Sequence, residues 1–241
     1  MPELRLSHGT CPYQVHRRPR RTVGVVVRPD GTVEVHAPRR SSAGEIRGVV
    51  EEFRPWIEKK RREALDRLRR RRARRFDDGD DIPYLGGTLR LKIAETDAAP
   101  ADAVVRDGGS IHVSIPPDLT PASRRAVVRF AVHRWLLAQS RDVFHRRHVA
   151  MSRTVGQAAR RVVIKNMKSR WGSCGPDRLM NLNWRLIMAP EAIIDYVLVH
   201  ELTHITEPNH SPAFWRRVAR SCEHFETSRD WLRVHGDDLE L

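Results

Sequence analysis

The sequence predicts an α+β fold, and three observations carry that expectation. Strand-like segments gather around residues 13–38 and 88–115, rich in β-branched residues and broken by glycine and proline. Helix-like segments, with apolar residues three and four apart, follow each group instead of alternating with every strand. The most apolar helical segment, residues 192–199, runs directly into His200-Glu201-Leu202-Thr203-His204, with His210 six residues further on.

Taken in order, residues 13–38 read as a β-hairpin. Thr22-Val23-Gly24-Val25-Val26-Val27 forms one arm, Pro29-Asp30-Gly31 the turn, Thr32-Val33-Glu34-Val35-His36 the return, and Pro38 ends it. From about Ala43 the spacing predicts one long helix, with Val49, Phe53, Trp56, Ile57 and Leu68 on one side. It passes through KKRREALDRLRRRRARR, from Lys59 to Arg75, where Ala64, Leu65 and Leu68 keep helical spacing beneath a basic outer face. The stretch Asp77-Asp78-Gly79-Asp80-Asp81 stops it and marks an internal boundary: 1–80 as hairpin plus basic amphipathic helix, 81–241 as a second domain.

In that second domain, strands are expected at residues 88–93, 103–106 and 110–115, the last two joined by Asp107-Gly108-Gly109. Pro116-Pro117 stops the sheet, and Thr120-Pro121 opens a helix with Val127, Phe130, Ala131 and Trp135 on its apolar face, running to about His148. A strand at Val162-Val163-Ile164 leads into Met167-Lys168-Ser169-Arg170-Trp171-Gly172-Ser173-Cys174-Gly175. A further strand is expected at 178–186, then the histidine-bearing helix, and two closing helices at 211–221 and 227–235. No sequence repeat is visible.

Composition narrows the function classes. Of 241 residues, 40% are hydrophobic and 31% charged, which describes a globular chain with a heavily charged surface. No run approaches the ~20 apolar residues of a membrane span, and residues 1–10 lack a signal-like apolar core, so no membrane association is expected. Three widely spaced cysteines, Cys11, Cys174 and Cys222, fit reduced thiols in a cytoplasm. The net charge of +14, almost all from arginine, reads either as attraction to nucleic acid or another polyanion through the Lys59 to Arg75 segment, or as an arginine coat on the surface.

The chemistry concentrates in HELTH. Residues four apart on a helix share a face, so His200 and His204 can address one metal ion, and Glu201 can reach water beside it. Pro208-Asn209 stops the helix and turns the chain, which can bring His210 back as a third ligand. Three protein ligands leave a fourth position open on zinc, and a neighbouring glutamate is then placed as general base. The spacing encodes a hydrolase site. Glu207 is an alternative third ligand, but follows His204 by only three residues.

Longer motifs join this one. Ser169-Arg170-Trp171-Gly172-Ser173-Cys174, then Leu182-Asn183-Trp184-Arg185-Leu186-Ile187 with Ala189-Pro190, then Asp195 to Leu202, Asn209-His210-Ser211 and Phe214-Trp215 together resemble the YgjP-like branch of the SprT-type zinc metalloproteases. The hairpin, Trp56-Ile57 and Tyr84-Leu85-Gly86 are similar to that family's N-terminal half, so the resemblance covers about residues 20–235. It implies a zincin-like catalytic domain over residues 81–241, Zn2+ held by His200, His204 and His210, catalysis by Glu201, and a peptide or protein substrate. The His204–His210 spacing also equals that of the metzincins. Glu207, however, stands where their glycine would be, and no methionine follows Met188 to form their Met-turn.

Other roles stay open on the sequence. Tyr196, one turn before His200, reads as a donor to a developing oxyanion or as a core tyrosine. Arg170 and Trp171 read as holders of an extended substrate or as turn residues. Asn209 reads as a partner of His210 or a turn asparagine, and Cys174 as a fourth ligand or a small buried residue. His133, His145 and His148 have no partner at ligand spacing and read as surface or core residues. Peptide hydrolysis is the first expectation. Hydrolysis of a nucleotide phosphoanhydride by the same site, or a nucleic-acid-binding module, are the competing ones.

Overall fold

Alternating Val33, Val35 and Ala37, all buried, against half-buried Glu34 and His36 show why the first expected hairpin is a strand pair. The computed structural model describes residues 1–73, 76–96 and 104–241. It contains two compact units, Met1–Ala73 and Arg74–Leu241.

In the first unit, β1 (Glu3–Leu6), β2 (Gly9–Arg18), β3 (Gly24–Val27) and β4 (Val33–Pro38) form a sheet in the order β1-β2-β4-β3. The β3–β4 turn is held by Asp30 Oδ1, which accepts from Thr32 N at 2.9 Å and Thr32 Oγ1 at 2.6 Å. Gly31 takes φ +83° there, a left-handed position where a Cβ would be strained. The hairpin arms were expected; β1 and β2 were not, and β2 pairs with β4 in parallel. The expected single helix is two, α1 (Ala43–Glu52) and α2 (Arg54–Ala73), separated at Phe53. Pro55 explains the break, because it has no N–H to donate to the carbonyl four residues back. Ser42 and Glu45 cap α1 reciprocally as a capping box. Ile57 and Ala64 of α2 are buried; Arg74 and Arg75 lie outside the described residues, as do the side chains of residues 67 and 70–73.

In the second unit, β5 (Asp81–Tyr84), β6 (Gly87–Glu95), β7 (Val104–Asp107) and β8 (Ser110–Ile115) form a sheet in the order β5-β6-β8-β7, with β6 and β8 parallel. Ala103, expected to begin β7, lies outside the described residues. Leu85 (φ +48°) and Gly86 (φ +80°) make the two-residue β5–β6 turn. α3 (Pro121–Val155) runs well past His148 and ends at Gly156, φ +71°, a left-handed helix stop.

After α3 come β9 (Arg161–Lys165), β10 (Gly172–Cys174) and β11 (Leu179–Asn183), in the order β10-β11-β9. The strand expected over 178–186 ends at Asn183, whose Oδ1 accepts from Arg185 N at 3.3 Å and starts a 3-10 turn over Trp184–Met188. α4 (Glu191–Thr203), α5 (Pro212–Ser221) and α6 (Phe225–His235) close the chain. Each unit has its own apolar core, and the larger one includes most of α4. Sheets and helices segregate as an α+β architecture requires. Among the described residues no helix is long and apolar enough to cross a membrane.

Candidate metal centre

α4 carries the site, and its sequence explains its place: nine of its thirteen residues are buried, so no wide polar face remains for water. Arg147 of α3 anchors it, bonding both carboxylate oxygens of Asp195 and reaching Glu191 at 3.0 Å. Its start is pressed against the β5–β6 turn, where a Cβ on Gly86 would lie 2.9 Å from Pro190 Cα. The helix stops at Thr203, whose Oγ1 donates to Val199 O at 2.7 Å, and His204 is its C-cap. It therefore ends before Pro208, and the turn towards His210 begins at His204.

That turn gathers the three histidines. One ring nitrogen from each of His200, His204 and His210 lies within 4.8 Å of the others, and Nε2 of His200 is 3.0 Å from Nε2 of His210. His204 Nδ1 is 3.1 Å from Glu207 O; donating there fixes the tautomer and leaves Nε2 as the lone-pair nitrogen. Burial first, then His204 and His210, push His200 down to about 3, so its ring stays neutral, as a metal ligand must. Its buried Nδ1 has no hydrogen-bond partner among the described residues. The donor set fits a metal ion that accepts imidazole nitrogen, and zinc is such an ion.

Phe214, fully buried in the first turn of α5, supports all three rings at 4.6–4.9 Å between centroids. Ser211 caps that helix by accepting from Phe214 N, and Pro212 opens it. Trp215 stacks on His210 at 5.7 Å. The Ser-Pro start and apolar pair were readable in the sequence; their placement under the histidines was not.

Glu201 is 6% exposed, and burial pushes its carboxyl up to about 7, against smaller opposing pulls from the Cys174 N–H and the Arg170 charge. β10 passes so close that a Cβ on Gly172 would lie 2.6 Å from Glu201 Cγ. The glycine of the RWGSC segment is thus a close-approach residue. Asn183, to which sequence reasoning assigned no role, ties that segment down: its Nδ2 donates to Met167 O at 2.9 Å and Arg170 O at 3.0 Å.

The remaining candidates separate. Arg170, Trp171 and Tyr196 line one cavity with His200 and Glu201. Tyr196 is buried, 5.9 Å from the His200 ring, and burial pushes its hydroxyl up to about 12. Asn209 is exposed and gives its carbonyl to Ser211 N; its side chain takes no hydrogen bond among the described residues. Cys174, pushed up to about 11 by burial and by Glu201, stands outside the three-histidine group. Glu207 is also outside it, held by Arg217 at 3.1 Å. His148 is a core residue that accepts from Ala159 N, and His133 packs on Trp184.

A family model described as YgjP-like, metallopeptidase domain, matches residues 21–235. Among solved structures, the metallopeptidase zymogen abylysin of Pyrococcus abyssi is 22% identical, with 40% of this chain and 92% of that chain covered and a TM-score of 0.33. No curated protein matches.

Proposed function

This chain belongs to the YgjP-like metallopeptidase family, and from that premise we propose that it is a zinc-dependent peptidase, with His200, His204 and His210 as ligands and Glu201 as general base. The observation that carries the reading is a three-histidine cluster next to a carboxylate buried against Gly172. When bound, zinc supplies Lewis acidity, polarising a carbonyl and making water a stronger acid. Glu201, poised at about 7, takes a proton from the attacking water and passes it to the leaving amine. A carboxylate near its ordinary value would be a weaker base towards that water.

Tyr196 keeps its proton and faces the same cavity, which supports it as donor to the oxygen that gains charge. β10 is an edge strand, paired among the described residues with β11 alone, which supports strand addition by an extended peptide beside Arg170 and Trp171. The three cysteines are free, in keeping with a reducing, cytoplasmic setting.

Metal analysis of the purified protein, paired with peptide hydrolysis, tests the reading. One zinc per chain is expected, retained in Glu201→Gln and lost in His204→Ala. Glu201→Gln should lose at least ~100-fold in rate. Normal turnover by that variant defeats the mechanism.

A further inference from the structure

The catalytic reading above leaves α6 without a task, yet α6 forms one wall of the cavity beside Glu201. That cavity, ≈ 350 Å³, is lined by Arg170, Trp171 and Gly172, by Tyr196 and Val197 of α4 with His200 and Glu201, and by Arg229, Leu232 and Arg233 of α6. Arg229 and Arg233 are four apart, so one helix face sends both towards the same opening.

The charge is unbalanced. Three arginines surround the cavity, and among its described lining residues Glu201 is the only acid. Arg229 lies over the Trp215 ring at 5.3 Å, and no salt bridge holds it among the described residues. Arg233 holds Asp230 at 3.3 Å, with both side chains well exposed. An arginine laid on an aromatic ring keeps its outward N–H groups free for a planar, bidentate partner, and a carboxylate is one. Between the arginines the surface is apolar: Tyr196 and Val197 are buried, Trp171 and Leu232 half-buried. The volume sits at the low end of the roughly 300–1,000 Å³ of ligand sites, which favours one side chain over a whole nucleotide.

We propose that this cavity is a subsite for a peptide carboxylate, that of a Glu or Asp side chain or of the peptide's own C-terminus, held by Arg229 and Arg233 with Arg170 opposite. It deepens the peptidase reading and rests on it for the identity of the ligand.

The test is equilibrium binding of fluorescent peptides to the full-length Glu201→Gln protein, read by anisotropy. The peptides are identical but for Glu, Gln or Lys at one position, each with a free or an amidated C-terminus. A carboxylate should strengthen binding about tenfold. Glu over Gln among the amides assigns that gain to the side chain; free acid over amide at every residue assigns it to the terminus. Arg229→Glu with Arg233→Glu should abolish the preference and turn it towards Lys, while Arg229→Lys with Arg233→Lys keeps its sign. The proposal is overturned if Glu, Gln and Lys peptides bind alike whatever their C-terminus. It is also overturned if charge reversal leaves the preference unchanged, or if a nucleoside triphosphate binds in an Arg229- and Arg233-dependent way and the peptides show no preference. Charge-selective binding of peptides that the unmodified protein never cuts would uphold the subsite while removing the peptidase reading.

Discussion

The sheet of the first unit and the first sheet of the second share one plan. In each, an antiparallel hairpin is followed by a second hairpin whose last strand pairs in parallel with the first hairpin's second strand, as β1-β2-β4-β3 and β5-β6-β8-β7. A helical segment follows each. The difference lies in what those helices do. The first unit continues into α1 and α2, broken at Phe53, and α2 exposes Arg54, Arg62 and Arg69 to water. The second continues into α3, unbroken over 35 residues with eight of them buried, and α3 supplies Arg147 to anchor α4. Identical strand topology therefore serves two ends, and the candidate metal centre and the cavity beside it are built on β10 and α4–α6 of the second unit. Charge makes the same distinction. Arg62 and Arg69 of α2 are solvated at little cost, whereas Glu201 is buried at a cost that its raised proton affinity records.

Three experiments probe that contrast. The largest effect is expected from Gly172→Ala, whose methyl must displace Glu201 from the place β10 leaves it. A displacement on the order of 1 Å costs roughly 100-fold in rate, and the overpacking about 1–3 kcal/mol in stability. Wild-type kinetics in this variant would mean that Glu201 is not positioned by β10.

Next comes pH. Below the Glu201 value, about 7 before a cation beside it lowers it, the base is protonated, and kcat/KM should fall about tenfold per pH unit. The Glu201 contribution to the stability of the metal-free protein should run the other way. Its folded value, about 7, exceeds the ordinary 4.5, so between these the folded state holds a proton the unfolded state has released. The Glu201 contribution to stability then declines as pH rises through that window, by up to about 3 kcal/mol, while His200, held down to about 3, contributes in the opposite sense below about 6.5. Glu201→Gln should remove that contribution, so the difference in denaturation midpoint between variant and wild type should change between about pH 5 and about pH 8. A wild-type slope in the variant would show that the burial cost lies elsewhere.

The smallest effect is expected from Lys59→Gln with Arg62→Gln on the exposed face of α2. Stability should move by no more than about 0.5 kcal/mol, with turnover unchanged. A salt-sensitive affinity for polyanions that this pair removes would show that α2 has a partner after all.

Legibility followed the range of the interactions. The β3–β4 hairpin was readable because Asp30-Gly31 is a local turn signal, and the start of α3 because Thr120-Pro121 is a local cap. β2 was not, since Pro12 and polar alternation obscure a strand whose parallel partner lies some twenty residues away. β5 is four residues with Pro83 inside and takes its order from the hairpin it enters. The end of β11 was placed three residues late, because Asn183 stops it through bonds to a distant loop.

By itself the sequence determined the histidine and glutamate spacing on one helix, the proline and asparagine after it, and the alternation of strands, because 3.6- and 2-residue periods are local properties of the chain. Only the tertiary structure decided that Gly172 meets Glu201, that Phe214 lies beneath three histidines, and that Arg229 and Arg233 face the same cavity. Those pairs come from different elements, and the desolvation that lifts Glu201 depends on everything packed around it.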